Sequence, residues 1–184
     1  MANFIFKMAA QFPERKEQLI FLINNYDMMI SVYAERAAAT TATSQELEDL
    51  KQMLQSRIKE YAMAELQAAF GSMIAWVKRT ERELQQGPEA VQVNESQVQQ
   101  MVSAFARDWK PAIGKINAGV MTTFSNFMNG TAILQAALTQ LVLTYDKFST
   151  ILKTAPFKRP GGWGPDLIDK HHVMVEVKKY KTTF

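Results

Sequence analysis

The chain has 184 residues, a net charge of +3 and no cysteine. That length is enough for one domain with a real core. The missing cysteines exclude a disulfide framework and a thiolate metal site, which fits a reducing compartment without requiring one. With 47% apolar residues the composition is that of an ordinary globular chain. No apolar run reaches the roughly 18 residues that a membrane span needs, because LIFLINNYDMMI is interrupted by Asn24, Asn25 and Asp27. The start, MANFIFKMAAQFPERK, has a short apolar stretch and no small-residue cleavage pattern before its charges, so it is not read as a signal peptide. Residues 1–12 are expected to be flexible, and Met1 to Gln11 are either native chain or an added start. The sequons at Asn94 and Asn129 read as helix punctuation rather than glycan sites. Residues 1–106 carry 10 basic and 13 acidic side chains, whereas residues 107–184 carry 11 basic and 5 acidic. A solvated surface is the favoured reading of this asymmetry, and a basic end that meets an acidic partner or a membrane is the alternative.

Helical periodicity dominates from Pro13 onward. Pro13 and Glu14 suit the first turn of a helix that runs to about Ala38, with Leu19, Leu22, Tyr26, Met29 and Tyr33 as its main stripe. AAATTAT is a loop, and Thr43 with Glu46 forms a capping box for a second helix striped by Leu47, Leu50, Leu54, Ile58 and Tyr61. Gly71 marks a bend or break before a third stripe, Met73, Val77, Thr80 and Leu84, which Gly87-Pro88 ends. Asn94 with Gln97 offers another capping box. The fourth helix holds Val98, Val102, Phe105, Trp109, Ile113, Ile116, Val120, Phe124 and Phe127 on one face. Its phase survives Pro111, so one kinked helix is expected, closed by Asn129-Gly130. Leu134, Leu138, Leu141, Tyr145, Phe148 and Leu152 stripe a fifth helix, and TAPFKRPGGWGPD is a loop. DLIDKHHVMVEVKKYK fits either strand alternation or a helix; with no other strand to pair with, helix is preferred. The expected fold is all-α, an elongated antiparallel bundle of five to six helices in a single module over 1–184.

On a helical wheel of the first helix, Leu19, Leu22, Ile23, Met29, Ile30 and Tyr33 cluster around Tyr26, whereas Phe21, Met28 and Val32 fall on the far side with Asn24 and Asn25. A helix sandwiched at the centre of its bundle is the favoured explanation. A face shown to a partner is the other, because mixed apolar and amide groups suit a wet interface better than a dry core.

Catalytic and ligand chemistry is hard to find. His171 and His172 are the only histidines, and chain neighbours do not make the i, i+4 pair of a helical zinc site. The loop PGGWGP lacks the lysine and hydroxyl of a phosphate loop, and reads as a flexible segment that Trp163 pins to the bundle. No nucleophile elbow is present, the carboxylates fall in solvated helical charge patterns, and basic residues are too diluted for nucleic-acid binding. No enzyme, cofactor or metal is expected.

Three blocks, FPERKEQLIFLINNYDMMISVYAER, TFSNFMNGTAILQAALTQLVLTYDKF and HHVMVEVKKYKTTF, resemble the C-terminal region of the vacuolar protein sorting-associated protein 52 family. The resemblance covers about Phe12 to Phe184 and is poor over 37–44, 86–94 and 154–165, where loops are expected. It implies a fold similar to the helical rods of multisubunit tethering complexes, and a C-terminal fragment of a longer chain whose coiled-coil N-terminal region assembles the complex. It further implies a non-enzymatic subunit that tethers endosome-derived vesicles to the trans-Golgi network, acting peripherally on the cytoplasmic face of that network and of endosomes. The implied partners are other tether subunits, a GTP-loaded Golgi Rab-family GTPase and SNARE proteins, without nucleic acid. The contact residues are chosen from this sequence itself: Phe21, Met28 and Val32 on the first helix, and His172, Lys178, Lys179 and Tyr180 in the basic final segment. A docking arm with no GTPase contact and direct membrane attachment by the basic end are the competing readings.

Overall fold

The computed structural model describes residues 2–38 and 45–180, with side chains given from Phe4 to Glu35 and from Gln45 to Tyr180. Among them are six α-helices and no strand: α1 (Ala2–Ala9), α2 (Arg15–Ala38), α3 (Gln45–Gln86), α4 (Glu95–Thr123), α5 (Phe127–Lys153) and α6 (Lys170–Lys179). The all-α class is as expected, and the final segment is a helix. Asp169 starts it, accepting a hydrogen bond from the His171 backbone N–H at 2.7 Å. The contacts divide the chain into two compact units. One comprises Met1–Ala64 and Ala118–Ala137, the other Glu65–Asn117 and Leu138–Phe184.

Several helix boundaries differ from those read off the sequence. No helix was expected before Pro13, yet Ala2–Ala9 form one, because Ile5 and Ala9, one turn apart, are buried together. Pro13 lies two residues outside α2 rather than in its first turn. The proposed Thr43 capping box falls outside the described residues. The second and third expected helices are one kinked helix, α3; Phe70 leaves the helical region there (φ −129°, ψ 21°), one residue before the glycine that signalled a bend. Asn94 does cap α4, its side-chain oxygen accepting from the Gln97 backbone N–H at 3.0 Å, and α4 continues through Pro111.

The largest correction concerns Asn129-Gly130, which does not close α4 but lies in the opening of α5. The break comes earlier, at 124–126. Phe124 turns inward against Tyr61, edge to face at 5.0 Å, and the Asn126 side-chain oxygen accepts from the Met128 backbone N–H at 2.9 Å. An asparagine that satisfies a free N–H in this way starts a helix. Phe127, placed on the core stripe by the sequence, is therefore exposed.

In the first unit the core is formed by Leu19, Leu22, Ile23 and Tyr26 of α2, Leu54, Ile58 and Tyr61 of α3, and Val120, Ile133 and Leu134. Burial raises the pKa of Tyr26, partly offset by the positive charge of Arg57. Arg15 reaches Glu60 at 2.7 Å through Nε. Both side chains are well exposed, so the pair adds at most about 1 kcal/mol.

The second unit is built on aromatic rings. Tyr145 stacks on Phe105 at 4.3 Å, and Trp76 meets Phe148 at 5.3 Å and Phe157 at 5.2 Å, both edge to face. All three tryptophans, Trp76, Trp109 and Trp163, are buried in this unit. Trp163 does pin its loop: the indole N–H is shared between the carbonyls of Leu152 and Phe157, 3.2 Å from each. Arg159 lies 4.5 Å over the Trp163 ring. The loop is held further on by Ser103, which donates to Asp166 at 2.7 Å, and by the Tyr145 hydroxyl, which donates to the Ile168 carbonyl.

Burial, with the Asp169 carboxylate adding to it, pushes the Tyr145 hydroxyl far above its ordinary value near 10. In the folded chain Tyr145 stays neutral at alkaline pH, while in the unfolded chain it ionises near pH 10. Its contribution to stability is thus complete below about pH 10 and is lost as pH rises above that value. Replacing Tyr145→Phe should cost about 1 kcal/mol at neutral pH. In urea titrations the gap between wild type and variant should shrink between pH 9 and pH 11, windows chosen around the free tyrosine value. A gap constant across that range would show that the hydroxyl is not held neutral.

Candidate functional site

The surfaces available for function are helix faces. On α2 the buried stripe uses Leu19, Leu22, Ile23, Tyr26 and Met29. The opposite side is not sandwiched: Met28 is 60% exposed and Val32 is 42% exposed. Phe21 is half-buried, with its ring 5.3 Å from that of Phe12. Beside them is an apolar hollow of about 360 Å³ lined by Phe12, Glu17, Ile20, Phe21, Asn24 and Asn25.

The polar groups on this side are accounted for. Asn25 donates to the Phe21 carbonyl at 2.7 Å, and Asn24 faces solvent. Asp27 accepts from the Asn126 side-chain amide at 2.6 Å. That last bond ties the turn between α4 and α5 to α2, and the same turn carries Phe127 and Met128, 47% and 73% exposed. The face is thus larger than the sequence suggested. Phe127 and Met128 were missed because helical phase was carried across a break. The asparagine at 126, a good helix start, was the available signal.

The second predicted set lies on α6, in the other unit. His172, Lys178 and Lys179 are exposed, and Lys179 pairs with Glu176 at 2.7 Å. Tyr180 is half-buried; its hydroxyl lies 3.8 Å from where a Cβ on Gly114 would be, so it is partly a packing residue. The structure therefore groups Phe21, Met28 and Val32 on one helix face and His172, Lys178, Lys179 and Tyr180 on another helix. The second unit also contains an open groove of about 660 Å³ between α3 and α4, floored by Phe70, Met73, Trp76 and Phe105.

Among the described residues no group of three or more His, Asp or Glu side chains is placed to hold a metal ion. No described helix is long and apolar enough to cross a membrane. The class of protein this defines is an all-helical chain that offers apolar and cationic helix faces.

A family model described as "Vps52, C-terminal" matches residues 1–62. The human and rat proteins called vacuolar protein sorting-associated protein 52 homolog are each 42% identical over 183 residues, 99% of this chain and 25% of theirs. Vacuolar protein sorting-associated protein 52 A of Arabidopsis thaliana is 36% identical over 98% of this chain and 25% of its own. The chain belongs to the vacuolar protein sorting-associated protein 52 family. It spans about a quarter of the length of the curated relatives it matches. No solved structure matches it.

Because Met28 and Val32 are both exposed, the double replacement Met28→Ser with Val32→Ser should leave stability within about 0.5 kcal/mol. Asn126→Ala, which removes the partner of Asp27, should cost about 1 kcal/mol. Urea unfolding followed by circular dichroism measures both, and a loss of several kcal/mol in the double variant would mean that the face is packed.

Proposed function

We propose that this chain is the C-terminal module of a vesicle-tethering complex subunit acting in endosome-to-Golgi retrograde transport, and that it binds a GTP-loaded Golgi Rab GTPase through a helical face. Family membership supports the tethering role. The observation that carries the GTPase contact is the exposed apolar side of α2, where Met28 and Val32 stand out from a helix whose other side is buried. Fixed side chains of this kind, presented on a rigid helix, are what a groove or apolar switch patch on a partner recognises. Phe21, Phe127 and Met128 extend the surface, and methionines adapt to an irregular partner. Lys178 and Lys179 supply a separate cationic contact, with His172 and Tyr180 beside them. The wider partners under this reading are other tether subunits and SNARE proteins, and attachment to the cytoplasmic face of trans-Golgi and endosomal membranes is peripheral, through those partners.

A second reading makes the chain a docking arm that contacts only other tether subunits. The open groove between α3 and α4 favours it, since its small-residue walls, Ala69, Ala75 and Ala104, admit the backbone of another helix.

Titration calorimetry against a Golgi Rab GTPase separates the two. Binding is expected with the GTPase loaded with a GTP analogue and not with GDP, and the double replacement Met28→Ser with Val32→Ser should weaken it at least about tenfold. Heat in neither nucleotide state would remove the GTPase contact from this module and leave the docking arm.

A further inference from the structure

Helix α1 presents apolar side chains that the preceding reading does not use. Ile5 and Ala9 hold it to the first unit, while four large apolar side chains within nine residues, Phe4, Phe6, Met8 and Phe12, are exposed. Phe4 is the most open of them at 66%. Phe4, Lys7 and Met8 are spaced i, i+3 and i+4, so they share one outward face of the helix. Lys7 is the only charged residue of α1. A face this apolar, on a helix whose other side is already buried, is one that a further surface covers.

The same unit carries a surface of the opposite kind. The hollow of about 360 Å³ beside Phe12 has Phe12, Ile20 and Phe21 as apolar walls and Glu17 as its only charged residue. Lys7 and Glu17 are both exposed. Among the described residues neither side chain has an ion pair, a hydrogen bond or a ring contact. The chain cannot turn its own Phe4 face into this hollow, because that would take Ile5 and Ala9 out of the core.

We propose that these two surfaces are the halves of one interface between two copies of this chain. Phe4 and Met8 of one copy enter the hollow of the other, and the Lys7 ammonium meets the Glu17 carboxylate. A two-fold axis repeats the arrangement, so both apolar faces are covered and both ion pairs form at once. Charge complementarity selects this occupant. An unrelated protein would have to supply an acidic hollow and a cationic apolar helix side by side to satisfy the same two surfaces. An anionic membrane would accept Phe4, Lys7 and Met8, but it would repel the Glu17 carboxylate and leave the hollow unfilled. Met28 and Val32, which carry the GTPase contact, do not line the hollow, and of the residues given to that contact only Phe21 borders it, as part of the wall. Self-association and GTPase binding can therefore each be present without the other.

The mass of the whole chain, measured by light scattering and sedimentation over a range of concentrations, tests the interface. It should rise from one chain to two. Lys7→Glu and Glu17→Lys each place like charges at both contacts, and each should weaken association at least about tenfold with an unchanged circular dichroism spectrum. Mixing the two variants should restore the two-chain mass, because in the mixed pair both contacts again join opposite charges. Phe4→Ser removes the anchor and should leave a single chain, and Met8→Ser serves if that variant does not fold. A single-chain mass at every concentration, association unaffected by the charge variants, or a mixture that stays as dissociated as its two components would each overturn the assignment. So would flotation of single chains with phosphatidylserine vesicles.

Discussion

Tyr145 occupies the position on which the second unit depends. Its ring is stacked on Phe105 and approaches Phe148, while its hydroxyl reaches past the core to the Ile168 carbonyl. One side chain thus serves two incompatible surroundings, an apolar interior and a stretch of irregular backbone that needs its carbonyls satisfied. Around it the loop after α5 is fixed by groups that each address a different atom: the Trp163 indole on two carbonyls, Ser103 on Asp166, and Lys170 on Asp146. The order matters for α6, whose backbone hydrogen bonds are all local. Its place beside α5 comes from Val173 and Val177 in the core and from the loop that delivers it.

The first unit solves a similar problem with less aromatic material. Tyr61 and Phe124 close the end of α4, and the amide of Asn126 bonds Asp27 on α2. An acidic residue between the apolar side chains of Tyr26 and Met28 would be a liability if it were merely half-buried. Here it anchors the turn that brings Phe127 and Met128 to the surface. Polar residues that made α2 look unsuited to a core are thus what organise the exposed side around it. This also explains why the face is mixed rather than greasy: Asn24 and Asn25 keep it wettable when no partner is bound.

The helical stripes were readable because helix packing imposes a period on the apolar residues, and every residue of the fifth stripe from Leu134 to Leu152 is buried as that period requires. Caps made by a single short side chain were readable as well, as at Asn94. The errors arose where two signals compete. Asn129-Gly130 has the composition of a helix end, yet Asn126 three residues earlier makes the better start, and the choice between them is settled by Phe124 packing on Tyr61, a contact 63 positions away in the chain. Helix α1 was missed because it is only two turns long, and such a helix owes its existence to burial of Ile5 and Ala9 rather than to its own sequence. For the candidate surfaces, periodicity identified the far side of α2 but could not decide whether another helix covers it.

The distribution of tryptophan has a practical consequence. All three indoles are in the second unit and all are buried, while the first unit has only tyrosine and phenylalanine as chromophores. Excitation at the red edge of the ultraviolet absorption therefore interrogates one half of the molecule and is blind to the other. Emission from the indoles and the helical ellipticity of the whole chain are two separate readouts, and any divergence between them during melting would reveal which half lets go first, without a label or a mutation.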